Sequence, residues 1–148
     1  MKRLRRLFLL PGSEKLFLAK TLMLVLTIRL GLWLLPFRLI DEWFGGLESP
    51  NGHAAAGAPD WAAIRRIVRA VRSASSYIPQ ASCLTQALAA RYLLRSAGER
   101  SDLKIGVEKT SDAGFGAHSW VEIDGRVVIG RLPDHQRFAV LESLGNLR

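Results

Sequence analysis

The sequence predicts an α+β fold in which helices precede an antiparallel sheet. Apolar residues in segments 61–78 and 83–98 recur every three or four positions, as they do on one face of a helix. From residue 103 onward apolar and polar residues alternate, which is the period of a half-buried strand. Asp124-Gly125 stands between two such runs, and this dipeptide favours a type I′ hairpin turn. Adjacent strands should therefore run antiparallel.

The first helix of this unit is expected over residues 61–78, because Asp60 is a good N-cap residue and Pro79 disfavours a helical residue before it. Its apolar stripe consists of Trp61, Ile64, Val68 and Val71. Its basic face consists of Arg65, Arg66, Arg69 and Arg72. This face is either simply solvated or a docking surface for an acidic partner or peptide.

The second helix is expected over residues 83–98, with Ser82 as N-cap and Gly98 as the C′ residue that ends it. One face carries mostly small side chains, at positions Cys83, Ala87, Ala90 and Leu94. Small residues allow a helix to lie close to a sheet. The only cysteine of the chain therefore stands in the first turn of a helix that we expect to pack on strands.

The strands are predicted at 103–109 and in segment 117–130, where two strands meet at Asp124-Gly125. Residues 110–116 are predicted to form the loop between them. His118 then lies at the start of the second strand, and strand alternation places it on one face with Trp120 and Glu122.

The N-terminal part of the chain carries most of its net charge of +8. Residues 1–38 hold eight Lys or Arg and one Glu, whereas residues 39–148 hold thirteen basic and twelve acidic side chains. The basic segment is also the most apolar one. This combination favours contact with a membrane surface or a protein over nucleic acid, which we do not expect as a partner.

Segment 16–40 is rich in leucine, but Lys20 and Arg29 interrupt its apolar runs. A charged residue near the middle of a membrane span costs about 2.5–3.5 kcal/mol, so a span is disfavoured. We expect one or two helices that pack on the domain, on a partner or flat on a membrane. The predicted organisation is a helical arm (1–44), a Gly/Pro/Ala-rich linker (45–59) and a domain (60–148).

Cys83 and His118 are the candidate chemical pair. The first turn of a helix offers unpaired N–H groups and a partial positive charge, which favour a thiolate and can bind an oxyanion. A nearby imidazole would take the thiol proton and return it to a leaving amine. The alternative is that Cys83 is a small buried residue without reactivity. A lone cysteine excludes an intramolecular disulfide and fits a cytoplasmic location, and no zinc-type spacing, metal or cofactor is expected.

Three blocks of the sequence, CLTQALAARYLL, LKIGV and AHSWVEIDGRVVIG, resemble the transglutaminase-like (papain-related) cysteine proteases. More closely, they resemble the leader peptidases of bacterial lasso-peptide biosynthesis, over roughly residues 60–145. The resemblance implies a peptidase that removes the leader from a ribosomally made precursor peptide, with Cys83 as nucleophile and His118 as base. It also implies two partners: a separate leader-recognition protein, and an ATP-dependent cyclase that uses the freed amine.

The third member of the triad departs from the family pattern. The family's acid lies about a dozen residues after the histidine, where this chain has Gly130. Asp124 is expected at the hairpin tip, about 20 Å from His118 at 3.3 Å per residue. Asp134 is the remaining candidate, and a backbone carbonyl or polar side chain is the alternative. Gln80 could bind the oxyanion with its side chain, but we expect it to be an ordinary residue of the loop that leads into the helix.

Two other functions remain open at this point. The same Cys–His pair could transfer an acyl group to an amine, as a transglutaminase does. The chain could also be an inactive relative that acts as a scaffold for the precursor and the cyclase. A peripheral position at the inner face of the membrane is expected if the arm binds lipid.

Overall fold

A computed structural model describes residues 11–36, 39, 57–110, 114–133 and 138–141. Within these residues three helices precede a four-stranded antiparallel sheet, which confirms the α+β prediction. The helices are α1 (Gly12–Leu34), α2 (Trp61–Ser75) and α3 (Cys83–Ser96). The strands are β1 (Asp102–Thr110), β2 (Gly114–Ile123), β3 (Arg126–Ile129) and β4 (Ala139–Leu141), in the spatial order β3-β2-β1-β4.

Helix α2 begins as predicted. One carboxylate oxygen of Asp60 accepts hydrogen bonds from the backbone N–H groups of Ala62 (2.9 Å) and Ala63 (3.1 Å). The helix ends at Ser75, three residues earlier than predicted, and tighter turns continue to Ile78. The shortening is consistent with Pro79, which disfavours helical geometry in the residue before it.

Helix α3 also begins and ends where the sequence predicts. The Ser82 hydroxyl accepts from the Thr85 N–H at 3.3 Å, so Cys83 is the first residue of the helix. Gly98 follows the last turn with a φ of 83°. Ala87, Ala90 and Leu94 are buried, as expected for the face that packs on the sheet.

Strand β2 is longer than the sequence predicts. It begins at Gly114, so the predicted loop over residues 110–116 is wrong at Thr110 and at 114–116, and residues 111–113 lie outside the described part of the chain. His118 consequently lies inside the strand rather than at its start. The added residues pair with the end of β1, for example Gly116 with Glu108. Glycines are rare in strands, and here backbone pairing with β1 outweighs that low propensity.

The hairpin between β2 and β3 has the predicted turn. Asp124 (φ 48°) and Gly125 (φ 72°) both adopt positive φ, as a type I′ turn requires. The register between the two strands shifts by one residue at Val121/Glu122, which is a β-bulge.

The core joins all three helices to one face of the sheet. Helix α1 packs on α2 and α3, and α3 packs on β1, β2 and β3. The core side chains come from every layer: Val25 and Ile28 from α1, Ile64 and Val71 from α2, Ala90 and Leu94 from α3, and Val121, Ile123 and Ile129 from the sheet. Helix α1 thus shares the core of the domain. The division of the chain at residue 60 stays a prediction, and most of the expected linker lies outside the described residues.

Helix α1 is held to the rest of the fold by polar contacts near both of its ends. Glu14 forms an ion pair with Arg66 at 2.7 Å, and the Arg66 guanidinium lies 4.4 Å from the centre of the Phe17 ring. Arg29 donates to the Gln80 amide oxygen at 2.9 Å. By length and composition α1 could cross a membrane, but buried helices and signal sequences meet the same criterion.

Candidate functional site

Cys83 occupies the position that the sequence predicts for it. It is partly buried, at the start of α3, and α3 packs against β2, the strand that carries His118. The pairing of Cys83 with His118 in catalysis stays a prediction.

His118 is held by a backbone carbonyl. Its ring Nε2 lies 2.6 Å from the carbonyl oxygen of Gly130, twelve residues later in the chain. A carbonyl oxygen can only accept, so Nε2 is the protonated nitrogen of the ring. In the neutral imidazole the lone pair is then on Nδ1, which is the nitrogen able to take a proton.

Gly130 can reach this position because it has no side chain. Its φ is 86°, in the left-handed region that L-residues rarely adopt. A Cβ at Gly130 would also lie 2.7 Å from the Ser119 carbonyl oxygen and 2.8 Å from Trp120 Cβ. The chain after β3 therefore passes so close to β2 that only glycine fits there. The position near which the resemblance leads us to expect an acid thus supplies the hydrogen bond through its backbone.

Two aromatic rings pack on His118. Trp120 is stacked on its ring, with centroids 6.0 Å apart and an interplanar angle of 21°. The centre of the Phe138 ring lies 5.4 Å from the centre of the His118 ring, and the two ring planes are tilted by 48°. The indole N–H of Trp120 donates to Glu122 at 2.7 Å, so the predicted shared face of these β2 residues is confirmed. Trp120 is 2 % exposed, and this packing restricts the movement of the imidazole.

Gly106 and Phe138 are parts of the site that the sequence analysis did not identify. Gly106 is the β1 partner of His118. A Cβ at Gly106 would lie 2.8 Å from both Phe138 Cβ and the Trp120 ring. Gly106 therefore leaves the space in which the two aromatic side chains meet over β1. The strand pairing of Val107 with Ala139 brings Phe138 there, and a short edge strand of this kind has little sequence signal.

The turn before Cys83 is connected to α1. Gln80 has a φ of 59°, which is unusual for a residue with a side chain, and its amide oxygen accepts from Arg29. Because an arginine can only donate, the amide oxygen of Gln80 faces Arg29. This contact supports the interpretation of Gln80 as a residue of the loop that leads into α3.

The other candidates are placed as follows. Asp124 is exposed at the tip of the hairpin, as predicted. Asp134 lies outside the described residues, as does His53 of the expected linker. Among the residues that the structure describes, no three Cys, His, Asp or Glu side chains are close enough to hold a metal ion.

Two groups used in nucleophilic acyl chemistry are present, a thiol at a helix N-terminus and an imidazole on a strand that this helix contacts. Strand alternation places the imidazole on the face of β2 opposite to Val121 and Ile123, which pack with the helices. The family profile of the transglutaminase-like superfamily matches residues 24–143, a range that includes Cys83, His118 and Gly130. Comparisons with curated proteins and with solved structures find no match. The superfamily generally includes cysteine peptidases and acyl transferases. By this match over most of its length, the chain belongs to the transglutaminase-like superfamily.

Proposed function

We propose that the chain is a cysteine peptidase that removes the leader from a lasso-peptide precursor. Cleavage would free the N-terminal amine of the core peptide for ring closure by a separate ATP-dependent cyclase. The observation that carries the proposal is the hydrogen bond between His118 Nε2 and the Gly130 carbonyl. It orients the imidazole and leaves Nδ1 as the proton acceptor, the role that a general base needs.

In the proposed mechanism Nδ1 of His118 takes the proton of the Cys83 thiol, and the sulfur attacks the carbonyl carbon of the leader–core amide. Backbone N–H groups in the first turn of α3 stabilise the oxyanion of the tetrahedral intermediate. The C–N bond then breaks, and His118 gives its proton to the departing core amine. Water, deprotonated by His118, hydrolyses the thioester, which releases the leader as a carboxylate and restores the thiol.

The neutral carbonyl of Gly130 differs from a carboxylate in one respect that affects rate. Both can orient the ring, but a carboxylate also stabilises the imidazolium that forms when His118 accepts a proton. We therefore expect slower proton transfer than in a relative with an acid at this position. If Asp134 supplies the charge, its substitution by Asn will slow cleavage, and an unchanged rate shows that Asp134 does not supply it.

The choice of substrate rests on the sequence resemblance of the cysteine and histidine blocks. We propose that a small separate protein binds the leader and presents it, and that both act in the cytoplasm with the cyclase. An acyl transferase using the same residues is the main alternative, since the superfamily includes such enzymes. An inactive scaffold is the second alternative, and the glycine in place of the acid is the observation that favours it.

The test is the mass of the products formed by the full chain from a lasso precursor peptide and its leader-binding protein. A peptidase gives two fragments whose masses sum to the precursor plus one water. An acyl transferase instead gives a leader fragment joined to an added amine. Cys83→Ala and His118→Ala should each abolish cleavage, while both variants keep the far-ultraviolet circular dichroism of the native chain.

Alkylation of Cys83 by iodoacetamide tests the pair without any substrate. We expect native Cys83 to react faster at neutral pH than the same cysteine in the urea-unfolded chain, and His118→Ala to remove this difference. If precursor is not cut and the native and variant thiols react equally slowly, the chain is a scaffold and the peptidase proposal is wrong.

A further inference from the structure

Helix α1 carries an apolar stripe that nothing in the described structure covers. The stripe faces away from the core residues Val25 and Ile28. Its side chains are 38–79 % exposed, and they are Leu16, Met23, Leu26, Leu30, Trp33 and Leu34. The first five are spaced three, four or seven residues apart, and Leu34 directly follows Trp33. This spacing places all six on one side of the helix. Trp33 is the most exposed of them, at 79 %.

Basic residues flank this stripe, and none of the stripe side chains is acidic. On a helical wheel Lys15 and Lys20 fall on opposite margins of the stripe, and both are exposed. The acidic residue of α1, Glu14, lies on the opposite side and is paired with Arg66. The sequence before the helix adds Lys2, Arg3, Arg5 and Arg6. An apolar stripe between cations is complementary to an anionic lipid surface.

We propose that α1 lies in the plane of an anionic phospholipid bilayer, with the α1 stripe among the acyl chains and Lys15 and Lys20 at the phosphates. Lysine side chains at the margins of such a stripe can extend their apolar stems along the lipid and keep the ammonium at the headgroups. This inference does not depend on the proposed peptidase activity.

The contacts of α1 with the domain favour this in-plane position over a transmembrane one. Its other side packs on α2 and α3, and Thr21, Val25 and Ile28 are fully buried there. Polar contacts hold it near both ends, through Glu14 and Arg29. A span would carry these charged groups and the adjoining arginines of α2 into the hydrocarbon, where charged side chains are costly.

A second copy of the chain fits the stripe less well than lipid does. Positions 16, 23 and 30 and positions 26 and 33 follow a heptad pattern, which could pair two helices. The flanking positions of such a pair would hold Lys15 and Lys20 from both copies, without acidic residues to oppose them. Like charges across a helix pair are unfavourable, whereas lipid phosphates neutralise them.

The test is co-sedimentation of the full chain with vesicles of phosphatidylcholine, with and without phosphatidylglycerol. We expect strong binding only where phosphatidylglycerol is present, and weaker binding at high salt because salt screens the charges. Lys15→Gln with Lys20→Gln should weaken binding about thirty-fold, the effect of two cations near an anionic surface. Met23→Glu with Trp33→Glu should abolish it. Tyr77→Glu is the matched control, since Tyr77 is 41 % exposed and lies outside α1.

Three outcomes would overturn the proposal. Equal binding to both kinds of vesicle, or binding to neither, shows that anionic lipid is not the partner. A dimer in light scattering that the Met23→Glu and Trp33→Glu pair dissociates, without vesicle binding, assigns the stripe to a second copy. Resistance of the chain to alkaline carbonate extraction from cell membranes shows a span. Circular dichroism of each variant ensures that loss of binding is not loss of fold.

Discussion

The imidazole of His118 and the backbone carbonyl of Gly130 form a hydrogen bond of 2.6 Å between β2 and the chain that follows β3. The sequence resemblance leads us to expect an acidic side chain near this position, and a main-chain oxygen contacts the imidazole there. Gly130 has a left-handed φ and no room for a Cβ, so a glycine at this position makes the carbonyl available. The carbonyl orients the imidazole without itself bringing a negative charge to it.

Replacing Gly130 by alanine should weaken the hydrogen bond between His118 and the Gly130 carbonyl and destabilise the fold. Alanine there meets both an unfavourable φ and contacts of 2.7–2.9 Å with Ser119 and Trp120. We expect a loss of about 2–4 kcal/mol in the free energy of unfolding. Iodoacetamide alkylation of Cys83 should also slow if His118 activates it. Urea unfolding and alkylation kinetics measure the two effects.

Gly125→Ala is the matched control for that variant. Gly125 also has a positive φ, of 72°, but an added Cβ would meet no atom within 4 Å. Only the backbone strain remains, so the expected loss is about 1–2 kcal/mol and Cys83 alkylation should not change. Equal losses in the two variants would mean that the close approach of Gly130 to β2 has no energetic effect.

Gly106→Ala should destabilise the protein by overpacking. The new methyl group would lie 2.8 Å from Phe138 Cβ and from the Trp120 ring, beside the imidazole. An extra carbon in a packed site costs about 1–3 kcal/mol, which urea unfolding can measure. Gly116→Ala, also in the sheet, meets its nearest neighbour at 3.8 Å and should cost less than about 1 kcal/mol. If both variants have native stability, Trp120 and Phe138 do not pack over Gly106.

Ile28→Ala tests whether α1 is part of the domain or a separate arm. Ile28 is fully buried among α2 and α3 side chains, so truncation should cost about 2–4 kcal/mol in a single unfolding transition. Met23→Ala, on the exposed side of α1, should change stability by less than about 0.5 kcal/mol. An unchanged urea midpoint for Ile28→Ala would support an independent arm.

Asp60→Ala should remove the N-cap of α2. The carboxylate accepts two backbone hydrogen bonds, and losing such a cap costs about 1 kcal/mol in the free energy of unfolding. Asp60→Asn keeps an acceptor oxygen and should retain most of the stability in the same urea titration. A loss as large in Asn as in Ala would indicate that the charge matters more than the hydrogen bonds.

The sequence alone was sufficient for features that depend on a few neighbouring residues. Asp60 and Ser82 cap the predicted helices, and Asp124-Gly125 forms the predicted type I′ turn. Cys83 consequently starts a helix, as expected. These features follow from backbone hydrogen bonds and φ preferences that act within one turn of chain, so the residue types specify them directly.

The tertiary structure decided which distant residues meet. Pairing with β1 extends β2 back to Gly114, although two of the three added residues are glycines, which have a low strand propensity. The space above Gly106 depends on Phe138, thirty-two positions later in the chain. The hydrogen-bond acceptor for His118 Nε2 is a backbone oxygen, and every residue except the C-terminal one has the same peptide carbonyl. The residue types therefore do not indicate which carbonyl will contact the imidazole. The path of the chain after β3 brings the Gly130 carbonyl there.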